Sequence, residues 1–178
     1  MRRFNGKNAF WASLVSLGAA WGVPATAQAA TVTLTGDGAW FDFYAVDGAA
    51  SWLDVSGEAV EFTYTSNTAF QLRLVDYFFP GDSAQVYANG TLLGSTPAVP
   101  YDDTLFAATP NSAFGNSAWS KRTWTLGAGA YTFSGLPSVL PTGASVLAIS
   151  VTAVPEPAMA WLAGVGVLGV LSARRRLA

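Results

Sequence analysis

Between residues 31 and 153 the side chains able to do chemistry are ten carboxylates and a large number of hydroxyls, because the chain has neither histidine nor cysteine. That absence removes histidine-based triads, cysteine nucleophiles, disulfide scaffolds and structural zinc sites. Two carboxylates can still hydrolyse a glycoside if they face each other across a cleft, roughly 5 to 9.5 Å apart. Asp102-Asp103 are adjacent, and Glu58 and Glu61, three apart on an expected strand, fall on opposite faces. Neither pair has the required spacing, so no catalytic residue and no cofactor are expected. A carboxylate-dependent hydrolase stays as the third of three functional readings.

A second use of so many acids is calcium, a hard cation that takes several oxygen ligands at about 2.3 to 2.6 Å. Asp37, Asp42 and Asp47, or Asp76 and Asp82, are the candidates, but no EF-hand or RTX spacing is present. The expectation is therefore a solvated acidic surface, no metal site, and little effect of calcium on the fold. Aromatic side chains offer a third chemistry, because sugar rings stack on exposed rings. Trp40, Trp52, Trp119 and Trp124, with Tyr44, Tyr77, Tyr87 and Tyr101, raise that reading, but aromatics at alternating strand positions are usually core, and Trp124 in particular fits that role. Trp119 and Tyr101 lie in a long polar stretch and are the better candidates for sugar stacking.

Charge narrows the partners. Only Arg73, Lys121 and Arg122 oppose the ten acids of residues 31–153, which leaves a net charge of −7 there against −2 for the whole chain. Such a surface repels phosphate backbones, so no nucleic-acid partner is expected.

The elements that must position these residues are strands. Thr31–Thr35, Val60–Thr65, Phe70–Leu74 and Trp124–Leu126 alternate apolar and polar side chains, the pattern of half-buried antiparallel strands. Turn signals separate them at Asp37-Gly38, Asp47-Gly48, Ser56-Gly57, Pro80-Gly81, Asn89-Gly90 and Gly127-Ala128-Gly129. Asn89-Gly90 is the sharpest, and pairs a strand near Ala84–Ala88 with one near Thr91–Ser95. Leu140-Pro141-Thr142-Gly143 reads as another turn; it lacks the residue that a sortase motif carries between Pro and Thr. Residues 98–120 read as an ordered loop crossing one end of the sandwich. The fold class is all-β: a single antiparallel, jelly-roll-like β-sandwich over residues 30–153.

Both ends carry addresses. Residues 1–29 have a basic start, an apolar run from Ala9 to Val23 and small residues beyond, the order of a secretory signal peptide. Ala25-Thr26-Ala27 and Ala27-Gln28-Ala29 both fit the peptidase, which places cleavage after Ala27 or Ala29. At the other end, the uncharged run 158–173 precedes Arg174-Arg175-Arg176. As a helix it is about 24 Å long, enough to cross a bilayer with some thinning, and the arginines stay cytoplasmic. Both ends thus put the middle outside the cell.

Val154-Pro155-Glu156-Pro157, the apolar run and the arginines, in that order over residues 154–178, resemble the PEP-CTERM sorting signal of Gram-negative bacteria. The segment Asp76-Tyr77-Phe78-Phe79-Pro80-Gly81-Asp82, with Val86-Tyr87, Asn89-Gly90 and Leu93–Thr96 after it, is similar to one recurring in exported proteins of that kind. The resemblance implies an exosortase as partner, an inner-membrane precursor, and delivery to the cell surface or an exopolysaccharide matrix. The first functional reading is accordingly a non-enzymatic surface or matrix protein; the second is a carbohydrate-binding module of that matrix.

Overall fold

Period-two alternation builds nine strands among the described residues. The computed structural model describes residues 29–154. In it β1 (Ala30–Thr33), β2 (Asp37–Val46), β3 (Val60–Ser66), β4 (Phe70–Asp76), β5 (Ser83–Ala88) and β6 (Thr91–Ser95) precede a short helix, α1 (Pro110–Phe114). β7 (Lys121–Leu126), β8 (Gly129–Val139) and β9 (Ala144–Ala153) follow. Ala25 and Ala27 of the expected signal peptide lie outside the described residues, as does everything from Pro155 through the run 158–173 to Arg174, Arg175 and Arg176. Among the described residues no helix is long and apolar enough to cross a membrane.

The strands form two sheets, of order β1-β3-β8-β5-β6 and β2-β9-β4-β7. From β2 to β9 the chain visits them in the order of an eight-stranded jelly roll, with β1 added at one edge. That addition corrects the purely antiparallel expectation: β1 runs parallel to β3, pairing Ala30 with Val60 and Thr33 with Thr63.

Inward positions of the two sheets meet in one core. Phe43, Leu72, Leu147, Ile149 and Val151 face Phe62, Val86 and Phe133, with Trp52 inserted from the β2–β3 connection. The Phe43 ring lies 4.3 Å from Trp52 and 5.7 Å from Phe62, and Phe70 meets Tyr64 edge-on at 4.8 Å. Each such side chain contributes about 1.5–3 kcal/mol on burial. The indole of Trp52 lies over Gly135 of β8, where any Cβ would overlap both the ring and the Gln85 carbonyl.

The Asn89-Gly90 hairpin forms between β5 and β6, with φ of 49° and 76° at the two turn residues, the left-handed pair that a type I′ turn requires. Asp37-Gly38, by contrast, is no turn: it opens β2 as an irregularity in its pairing with β9. Leu140–Gly143 does turn, the Gly143 amide donating to the Leu140 carbonyl at 3.1 Å.

The loop between β6 and β7 departs most from expectation. Instead of crossing an end of the sandwich, it covers the outer face of the four-stranded sheet. Val75 and Ala148 point outward there and are buried by Ala107, Ala113 and Trp119. The Trp40 indole donates to Asn111 Oδ1 at 2.7 Å, and its ring lies 5.5 Å from Phe114. An apolar outer face must be covered by something, and this loop is what the chain has available. Thr109 caps α1 by accepting from the Ser112 amide at 3.2 Å, with Pro110 in the first turn.

Candidate functional site

β2 and β9 pair out to the rim of their sheet, Val46 opposite Ala144. Alternation turns Tyr44 and Val146 to the outer face, where they line a cleft of about 500 Å³. Phe78 and Phe79 enter from the β4–β5 loop, Tyr101 and Phe106 from the long loop. Four of these rings, Tyr44, Phe79, Tyr101 and Phe106, are exposed, Phe106 by 59%. Phe106 stacks on Phe78 at 5.7 Å with 9° between planes and tilts against Phe79 at 5.4 Å. Phe78 has φ of 74°, a strained conformation for a bulky side chain. Its amide and carbonyl are fixed there by a reciprocal pair with Ala107, at 3.1 and 2.9 Å.

Asp82 lines the inner end of this cleft, and a second carboxylate, Asp76, lies buried behind it. Asp76 ends β4 in the alternation of Leu72 and Leu74, so its side chain points between the sheets, fully buried at 0% exposure. Its Oδ2 accepts from the amides of Gly81 and Asp82, both at 3.1 Å, which folds the β4–β5 loop back on itself. Asp82 and Ser145, each 8% exposed, line the cleft. Burial, and then the Asp82 charge, push the Asp76 carboxyl up to about 8, against the opposing pull of the two amides and Ser145. Burial also raises Asp82, and Ser145 tempers it.

Ser145 lies beside both carboxylates without closing a hydrogen bond of ordinary geometry, and Asp76 Oδ1, Asp82 Oδ1 and Ser145 Oγ all lack a protein partner. Neighbouring polar groups are satisfied: the Ser120 hydroxyl meets Thr96 Oγ1 at 2.9 Å and the Pro97 carbonyl at 2.6 Å, and the Ala84 amide donates to Thr96 Oγ1. The three cations of the domain are engaged elsewhere. Arg73 donates to Ser150 Oγ at 2.8 Å and lies over the Trp40 ring, Lys121 reaches the Phe114 and Asn116 carbonyls, and Arg122 reaches the Ser95 carbonyl.

The structure sorts the residues singled out from the sequence. Tyr101 is exposed in the cleft. Trp119 is not available for sugar stacking: it is 4% exposed, buried with Val75 and Ala113 because the long loop folds inward. Asp37 is spent locally, accepting from Thr35 Oγ1 at 2.7 Å and the Ala39 amide at 3.1 Å, which holds its carboxyl below the usual range. Asp42 lies on β2 beside the Tyr77 hydroxyl, whose pKa is raised by burial and then by that carboxylate. Asp47 follows β2, its amide donating to the Gly143 carbonyl. Asp37, Asp42 and Asp47 do not converge, and among the described residues no three acidic side chains form a group.

Of the suspected hydrolytic pairs, Asp102 is tied to Thr104 in a local turn, and Glu58 precedes β3 instead of lying on it. Asp76 and Asp82 overturn the expectation of solvated acids. The sequence signal for them was the Asp-x5-Asp spacing across the Pro80-Gly81 turn, which brings both carboxylates to the same sandwich end.

Comparison with known proteins adds the tail. The family model of the PEP-CTERM protein-sorting motif matches residues 153–176. This chain carries a PEP-CTERM sorting motif. The motif implies export, a membrane-anchored precursor and processing by an exosortase. It starts at Ala153, the last residue of β9, and Val154 is still held to the domain by its amide, which donates to the Ala69 carbonyl at 3.1 Å. Val154 is thus the one described residue of the expected sorting segment Val154-Pro155-Glu156-Pro157. No curated protein matches the chain. Among solved structures it is similar to the pre-peptidase C-terminal domain of collagenase from Bacillus anthracis, at 9% identity and a TM-score of 0.41, over 70% of this chain and 97% of that one.

Proposed function

We propose that this PEP-CTERM protein is a non-enzymatic component of the cell surface or exopolysaccharide matrix, where exosortase processing delivers it. The observation that carries this reading is the seam between fold and motif. β9 lies between β2 and β4 in its sheet and runs straight into the sorting motif, so removing the motif takes at most the last residue of β9 and leaves every strand in place. Fractionation of producer cells tests it. The domain should be found in the surface or matrix fraction of the wild type and be missing from it when the exosortase is deleted; equal amounts in both strains would overturn the reading.

The cleft favours a carbohydrate-binding module as the second reading. Exposed rings beside the Asp82 carboxylate and the Thr142 and Ser145 hydroxyls match what a sugar presents, an apolar C–H face edged by hydroxyls. Tyr101→Ala and Phe106→Ala should each weaken binding to the producer's own exopolysaccharide by about tenfold, equivalent to ~1.4 kcal/mol. Isothermal titration with fragments of that polymer measures this, and unchanged affinity in both variants would remove the sugar from the cleft. A hydrolase has less support. Asp76 is fully buried with one oxygen committed to two amides, so only Asp82 of the pair reaches the cleft.

A further inference from the structure

We propose that Asp76, Asp82 and Ser145 form a binding site for one calcium-class divalent cation at the inner end of the aromatic cleft. Three observations carry this. Two carboxylates share one sandwich end, each more than nine-tenths buried, and among the described residues no arginine or lysine is directed at either. Buried side by side, the two carboxylates cannot both be ionised unless a counter-charge joins them. Each carboxylate keeps one oxygen, Oδ1, without a protein partner, and the Ser145 hydroxyl between them is equally unpartnered. Buried polar atoms in a folded protein are satisfied in the great majority, so three unpartnered oxygens in one cluster point to a ligand.

The donor set selects the ion. Two carboxylate oxygens and a hydroxyl are hard ligands, and the chain has no imidazole or thiolate to attract zinc or copper. Calcium accepts such mixed oxygen shells with flexible geometry, whereas magnesium demands near-octahedral order and gives up its water reluctantly. Asp82 and Ser145 line the cleft, so an ion held by them is reachable from outside and completes its shell on that side. The Asp76 Oδ2 atom stays on the Gly81 and Asp82 amides, which presents Oδ1 to the ion without moving the loop. Bound there, the ion joins the end of β4, the β4–β5 loop and the start of β9. It also fixes the loop that carries Phe78 and Phe79 into the cleft. The site does not depend on what the cleft binds.

The test is a titration of the full chain in neutral detergent with calcium chloride, read by calorimetry and by thermal unfolding. One ion per chain should bind with the affinity typical of extracellular modules, a dissociation constant on the order of 0.1 to 1 mM, and about 10 mM calcium should raise the melting temperature by several degrees. Asp82→Asn should abolish both effects, and Ser145→Ala, a smaller change to the fold, should weaken binding severalfold. Asp37→Asn should change neither. The absence of heat and of a melting shift in the wild type would overturn the proposal. So would calcium binding that survives at full strength in both Asp82→Asn and Ser145→Ala, because the ion would then sit elsewhere.

Discussion

Replacing Gly135 by alanine should destabilise the domain by at least about 3 kcal/mol, enough to lower its melting temperature by roughly 10 °C. Gly135 faces Val86 in the β5–β8 pairing and lies under the Trp52 indole, whose own amide donates to the Gly135 carbonyl at 3.2 Å. The added methyl group has no path of escape. On one side is a backbone carbonyl of the adjacent strand, on the other a fully buried ring locked by Phe43 and Phe62. The Trp52 ring cannot withdraw without opening a cavity at the centre of the core. Gly127→Ala is the control, since nothing lies within 4 Å of a Cβ at that position; it should change stability by less than about 0.5 kcal/mol. Urea unfolding of both variants compares them directly, and equal midpoints would contradict this account of the core.

The same glycine shows how far the sequence could be read. Alternation in Val60–Thr65 and Phe70–Leu74 was legible because one face of those strands is wet, and Asn89-Gly90 because few residues accept two successive left-handed conformations. The long strand β8 was harder to see. Gly135 and Pro137 interrupt its pattern, and Gly135 is there for a tertiary reason, to admit Trp52. The path of the β6–β7 loop is hidden in the sequence for a related reason. A five-residue helix has too few turns for a 3.6-residue period to register, and the apolar sheet face it covers looks, in sequence, like any other strand position. Trp119 reads as a surface ring on those grounds, while the cleft rings Phe78, Phe79 and Phe106 give no periodic signal. Asp76 and Asp82 were seen as acids but not as a buried pair. Only the alternation of β4, carried to its last residue, turns Asp76 inward.

Replacing Pro155-Glu156-Pro157 by three alanines should stop delivery of the protein almost completely while leaving the precursor in the inner membrane. Insertion is expected to depend on the uncharged run 158–173 and on Arg174, Arg175 and Arg176, none of which changes. Recognition is a different matter. Proline fixes φ and lacks a backbone donor, so the sequence Pro155-Glu156-Pro157 disfavours helix at this position, directly after Val154, where the last described contact of the sandwich lies. Alanine has the opposite tendency and would let a helix continue toward the end of β9. Immunoblots of membrane and medium fractions should show full-length variant in the first and none in the second. Release at wild-type level would mean that the segment is only a hinge.

The exosortase account is tested most directly by the intact mass of the wild-type protein recovered from its final destination. The account predicts a C-terminus that has lost the apolar run and the three arginines, together with the appearance of the uncut mass when the exosortase gene is removed. A mature protein that still ends at Ala178, in both strains, would contradict it.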